Sequence, residues 1–121
     1  MKHKTWRSKK YLAWVKTQPC VITGEPAHDP HHGIGLKLGG MGTKAPDWAT
    51  MPVTRISHTE IHNTPEMWNQ QWEWIHKTLK KAIKDGVLVG DYKLDLTAVN
   101  DYRDLVLAYG ELIDNGILEV K

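Results

Sequence analysis

Five of the chain's ten glycines fall within ten residues: Gly33, Gly35, Gly39, Gly40 and Gly42. Glycine reaches backbone conformations that other residues avoid and loses the most freedom when fixed, so no long helix or strand is expected to run through this stretch. The 121 residues are thereby divided into a front part of short elements and a longer back part. At 40% apolar content the whole, residues 1–121, is sized for one domain with a modest core.

The front part reads as mixed. Ser8 to Thr17 predicts a short helix, with Tyr11, Leu12, Trp14 and Val15 as its apolar stripe and Pro19 as its stop. Cys20-Val21-Ile22 predicts a short strand, Thr23-Gly24-Glu25-Pro26 a turn, and Ala27 to His31 a return strand. After the glycines, Ala49 to Thr54 predicts another strand, with Pro52 marking an edge or irregularity. Ser57-His58-Thr59-Glu60 matches a capping box, with Glu60 as the reciprocal partner of Ser57.

The back part reads as helical. Asn63-Thr64-Pro65 interrupts the first helix, and Thr64 with Pro65 can start the next, which runs to about Lys84 and ends at Asp85-Gly86. Trp68, Trp72, Ile75, Leu79 and Ile83 recur at helical spacing, with Met67 and Trp74 beside them, as expected of core packing. Val87-Leu88-Val89 reads as extended. Thr97 to Asn115 reads as a last helix ended by Gly116, with Tyr102, Leu105, Val106, Tyr109, Leu112 and Ile113 inward. The fold class is α+β.

Charge is uneven. Residues 1–58 carry nine Lys/Arg against three acids, and residues 59–121 carry seven against eleven. Glu25 is the first acid, so Lys2, Lys4, Arg7, Lys9, Lys10 and Lys16 are unopposed. Such a segment is either a solvated basic tail or a contact for a polyanion such as DNA. The single cysteine, Cys20, excludes an intramolecular disulfide and a zinc site built from several thiolates. No apolar run suits a membrane span or a secretory leader, which leaves a cytoplasmic protein as the expectation.

Of seven histidines, four stand in two tight sets, His31-His32 and His58-x-x-x-His62. Residues i and i+4 share a helix face, so the His58 and His62 imidazoles can reach one cation. The motif is not the protease H-E-x-x-H, since Glu60 falls one place late and points away. At the end of a strand, one ring of the His31-His32 pair can ligate metal while the other addresses a water. Phosphodiester hydrolysis needs those two functions, and an imidazole titrates near the optimum for a base at neutral pH. The run Gly39-Gly40-Met41-Gly42-Thr43-Lys44 is not a Walker A sequence, because its order is Gly-Thr-Lys and a strand follows it. Lys37 and Lys44 are either solvated loop lysines or contacts to a DNA backbone.

Taken together, Asp29-Pro30-His31-His32, the run Gly39 to Lys44, Asp47, Met51-Pro52-Val53, His58 and Glu60-Ile61-His62 resemble the HNH (ββα-metal) nucleases. The likeness is to small prophage-encoded HNH-like proteins associated with recombination, and it covers roughly residues 10–85. It implies a ββα-metal core of a short two-stranded sheet plus helix at residues 8–64, a flexible basic arm at 1–7 and a helical extension at 65–121. It further implies His32 as general base, His31, His58 and His62 as metal ligands, and Asp47 near the loop-orienting position. Lys4, Arg7, Lys9, Lys10, Lys37 and Lys44 are the residues expected to meet DNA. Such relatives often carry further cysteines where this chain has Thr23 and Thr54, which implies that Cys20 is left without a structural zinc and that tryptophan packing replaces it.

The expected function is therefore metal-dependent hydrolysis of DNA phosphodiester bonds by an endonuclease, phage or prophage encoded and linked to recombination or repair in a bacterial host cell. The cofactor would be one divalent ion, Mg²⁺ or Mn²⁺ when substrate phosphate supplies oxygen ligands, or Zn²⁺ or Ni²⁺ by the softness of three nitrogens. DNA is the expected partner, with a recombinase as a further one and no membrane, and the chain would act as a monomer or homodimer. The alternative is a DNA-binding accessory module on an HNH-like scaffold that does not cut.

Overall fold

The computed structural model describes residues 5–39 and 44–121. Lys4 and residues 40–43 lie outside them. Helix α1 spans Lys9–Lys16, and the Ser8 side chain caps it by accepting from the Tyr11 N–H. Tyr11 and Val15, four apart, are the residues it buries. Strand β1, Asp29–His32, pairs antiparallel with β2, Thr50–Val53, in a register that sets His31 opposite Met51 and His32 opposite Thr50. Cys20–Ile22 is not a strand: a tight turn runs through it, closed by the Gly24 N–H bond to the Cys20 carbonyl, and only Pro19 and Pro26 form a bridge.

Helix α2 is Arg55–Asn63, three residues earlier at its cap than the Ser57 box predicts. Thr54 is the N-cap and accepts from the Ser57 N–H at 3.1 Å, while Ser57 is buried and Glu60 exposed. Thr54 wins because the chain leaving β2 brings its hydroxyl to the helix start. Pro65–Gln70 is a 3-10 segment, and α3 runs Gln71–Lys84. The predicted stripe packs: Ile75 and Leu79 are fully buried and Trp72 nearly so. Two-residue strands β3, Leu88–Val89, and β4, Glu119–Val120, pair antiparallel. Between them, after a 3-10 turn at Leu96–Ala98, comes α4, Tyr102–Asp114. Its N-cap is Asp101, so the last helix starts later than Thr97, and Tyr102 is exposed rather than inward.

The molecule is thus α+β, with α3 at its centre between the β1–β2 sheet and α4. Gly110 on α4 exists for Trp48: a Cβ there would stand 2.4 Å from the indole, whose Nε1 donates to Asp114 at 3.0 Å. No helix is long and apolar enough to cross a membrane among the described residues.

Trp6 and Arg7, expected in a flexible arm, are held against the rest of the chain. Trp6 packs on Tyr11, and its carbonyl accepts from the Asp47 N–H. Arg7 donates to the Ala45 and Lys44 carbonyls and to the Asp47 carboxylate at 3.1 Å. Its guanidinium clamps the loop before β2.

Candidate metal centre

Strand β1 ends with two imidazoles whose side chains leave opposite faces, as strand geometry requires. His31 is buried against α2 and α3, and His32 turns toward the loop before β2. On α2, His58 and His62 are one turn apart. The sheet brings the two sets together: the His31 ring lies 4.7 Å from that of His58 and 5.4 Å from that of His62. Each of the three offers a ring nitrogen within 4.8 Å of the other two.

The hydrogen bonds say which nitrogens. Gln71, fully buried at the start of α3, donates its amide hydrogens to the Ile34 carbonyl at 2.8 Å and the Trp68 carbonyl at 2.9 Å. Its Oε1 must then be the acceptor for the Ile34 N–H and for His31 Nε2–H at 2.9 Å. That leaves His31 Nδ1 as a bare lone pair, buried and, among the described residues, without a hydrogen-bond partner. Burial, and then the neighbouring histidines, push the His31 pKa down to about 4 against the Gln71 bond, so the ring stays neutral. His58 is arranged alike. Its Nδ1–H donates to Asp29 Oδ2 at 3.1 Å, which leaves Nε2 facing His62 Nε2 at 3.1 Å. The His58 bond, with help from Arg55, holds the Asp29 carboxyl below its ordinary value.

His31, His58 and His62 stand close enough together to be candidate ligands of one cation, with the His58–His62 pair at the nearest spacing. Two nitrogens at Zn–N distances on a tetrahedral ion lie about 3.3 Å apart, close to the His58–His62 spacing. An orphaned buried nitrogen calls for a partner, and a histidine ligand whose far N–H is held by an amide or carboxylate is the usual support of a metal site. The Thr54 cap puts His62 in the last turn of α2, away from the positive end of the helix. For His31 and His58, Gln71 and Asp29 fix which ring nitrogen keeps its lone pair.

His32 is held differently. Its Nε2 meets Asp47 Oδ1 at 2.8 Å. Asp47 is itself buried and takes the Ser8 N–H at 2.8 Å besides Arg7. Burial raises the Asp47 pKa, but the bonds from His32, Ser8 and Arg7 outweigh it and the net shift is downward. Burial of the His32 ring, together with the Lys44 and Arg7 charges, outweighs Asp47 and lowers its pKa, so it too is neutral near pH 7. A neutral His32 with Nε2–H on Asp47 has Nδ1 as its basic nitrogen.

Of the basic residues expected at DNA, Lys44 stands near enough to His32 to act on its charge. Lys9 and Lys10 are exposed at the start of α1, pinned beside Asp47 through Ser8. Lys37 is exposed on the loop after β1. Cys20, Thr23 and Thr54 do meet: burial raises the thiol pKa, but bonds from Thr23, the Thr54 backbone and the Ile22 backbone bring it to about 7. Gln71 and Asp29 were missed from sequence. Asp29 could have been found as the residue two before His31, on the same strand face. Gln71 could have been found as the polar member of an i, i+4, i+8 core row with Ile75 and Leu79.

Known proteins give the chain relatives rather than a chemistry. The uncharacterized protein YdfU of Escherichia coli (strain K12) is 44% identical over 91 residues, which is 72% of this chain and 26% of that protein. The chain therefore spans about a quarter of the length of that curated relative. No solved structure matches it. Residues 1–90, which hold both histidine pairs, Asp29, Asp47 and Gln71, match the family described as a protein of unknown function, DUF968, and the chain belongs to that family.

Proposed function

We propose that the protein is a metal-dependent DNA endonuclease of the HNH type, its β1, β2 and α2 forming a ββα-metal core. The observation that carries this reading is the buried His31 Nδ1, unpartnered among the described residues, on a ring that lies beside the His58–His62 pair. His31, His58 and His62 would hold one divalent cation, which when bound supplies positive charge against the phosphate undergoing attack. His32 supplies what the ion does not. Asp47 fixes its Nε2–H, so Nδ1 is the atom that takes a proton from the attacking water, and the carboxylate then stabilises the imidazolium. Lys44 and the start of α1 present positive charge on the His32 side, suited to the phosphates on either side of the cut.

The test is nicking of supercoiled plasmid by the purified chain with Mg²⁺, Mn²⁺, Zn²⁺ or Ni²⁺ and with EDTA. Nicking that requires a divalent ion and disappears in the His58→Ala/His62→Ala variant is the expected result. DNA binding with no metal-dependent nicking would instead identify an accessory module that does not cut.

A further inference from the structure

Beside the histidine centre lies an open cleft of about 610 Å³, within the size range of small-ligand sites. The loop after β1, the 3-10 segment, the first turn of α3 and the first half of α4 enclose it. Its apolar lining is the half-buried Trp68 and Leu107 with the edge of the nearly buried Trp72. Its rim is polar: Lys37 on the loop, Arg103 on α4 and Asn69 on the 3-10 segment, all exposed. Among the described residues, neither Lys37 nor Arg103 has an ion pair or a side-chain hydrogen bond.

The cleft shares a wall with the centre. Trp68 Nε1–H donates to the Ile61 carbonyl at 2.8 Å, one residue from His62. The Trp68 carbonyl takes a bond from Gln71, the residue that orients His31. The loop is fitted to this wall: Gly35, at φ +70°, lies so close to Trp68 that a Cβ would stand 2.2 Å from its ring. Lys37 is likewise in the left-handed region, at φ 61°, a conformation that a non-glycine residue adopts only when its surroundings impose it.

We propose that this cleft receives an unpaired nucleotide of the DNA strand being cut. The ligand chemistry follows from the lining: a flat apolar body for the Trp68 ring, and negative charge for Lys37 and Arg103, which have no ion pair among the described residues. A nucleobase flanked by its phosphates has both. A paired base does not expose its faces, so a continuous duplex can offer Lys37 and Arg103 its phosphates but cannot lay a base on Trp68. The inference rests on the reading of the centre as a nuclease site and names its substrate: DNA that is single-stranded, or opened, next to the phosphate cut.

The test separates the cleft from the chemistry by working in EDTA. Fluorescence anisotropy with a labelled oligothymidylate and with a duplex of equal length, at matched salt, compares the wild-type chain with Lys37→Glu/Arg103→Glu. The wild type should bind the single strand more tightly. The variant should lose about tenfold or more on the single strand and less than about threefold on the duplex. Both side chains are exposed, and an unchanged melting temperature establishes that the variant is folded. Equal losses on the two DNAs would mean a general basic patch, and no loss would mean a bystander cleft; either overturns the proposal. A chain that keeps the strand preference and never nicks DNA would refute the nuclease reading and leave the cleft standing.

Discussion

His31 looks toward α2 and α3 and is held by an amide; His32, the next residue, looks toward the loop before β2 and is held by a carboxylate. The two partners do different things. An amide oxygen fixes which ring nitrogen carries the proton, but as a neutral acceptor it adds little proton affinity. A carboxylate fixes the tautomer and also favours the imidazolium. The first suits a ring that must stay neutral to ligate, and the second suits a ring that must gain and release a proton. Under the proposed nuclease reading, a two-residue stretch of strand would thereby separate two functions that identical side chains could not separate by themselves.

The sharpest way to break this contrast is to remove one ring at a time. His32→Ala should lower metal-dependent nicking by about 10²–10⁴, the range of general-base catalysis, while zinc affinity by calorimetry stays within about threefold. His31→Ala should lose nicking and metal affinity together. If His32→Ala cut at the wild-type rate, the assigned base would be wrong. Asp47→Asn keeps the shape of the His32 partner and removes its charge, so nicking should fall and its pH dependence should change with metal affinity preserved.

Next in size is acid sensitivity in the metal-free chain. The His31 pKa is about 4 in the folded protein and about 6.5 unfolded. Between those values the unfolded chain takes up a proton that the folded one refuses, so stability from this residue is complete above about pH 6.5 and is lost as pH falls toward 4. The full loss is about 3 kcal/mol. Urea melts in EDTA across that window should show the fall, and His31→Gln should flatten it. An equally steep fall in His31→Gln would assign the acid sensitivity elsewhere.

How much of this was legible follows from distance along the chain. The i, i+4 pair on α2 and the adjacent pair on β1 are local patterns, and the structure brings His31 to His58 and His62 while His32 turns to Asp47. Asp47 was placed only by resemblance, and no short-range pattern foretold that it would gather His32, Ser8 and Arg7. The Arg7 contact with Asp47 was not foreseen either, because its partner is a buried carboxylate 40 positions on. The turn at Cys20–Ile22 was read as a strand because three apolar residues in a row carry no period. The Thr54 cap was missed because Ser57 and Glu60 match the capping box and Thr54 does not, yet it is Thr54 whose hydroxyl accepts from the Ser57 N–H.

Gln71 tests the amide side of the contrast. Gln71→Glu keeps an acceptor for His31 Nε2–H but gives it charge, while Gln71→Met keeps bulk and removes the acceptor. Zinc affinity should fall by about 10- to 100-fold in the Met variant, as for other supporting partners of metal ligands. Both variants should lose stability, since the Ile34 and Trp68 carbonyls lose their donor at roughly 1–3 kcal/mol for each buried group. A Met variant with wild-type metal affinity would show that His31 needs no such partner.

The smallest effect is expected at Arg55, and its smallness is informative. Asp29 has two partners, His58 at 3.1 Å and Arg55 at 3.4 Å, but the Arg55 side chain is 76% exposed. An exposed ion pair contributes roughly 0–1 kcal/mol, whereas the His58 bond sets which nitrogen of that ring faces the centre. Arg55→Ala should therefore leave metal affinity within about twofold, and Asp29→Ala should lower it by about tenfold or more. Calorimetric titration of both variants decides the matter. Equal losses would mean that Asp29 acts through general negative charge near the centre, and its geometric bond to His58 would no longer explain the ligand set.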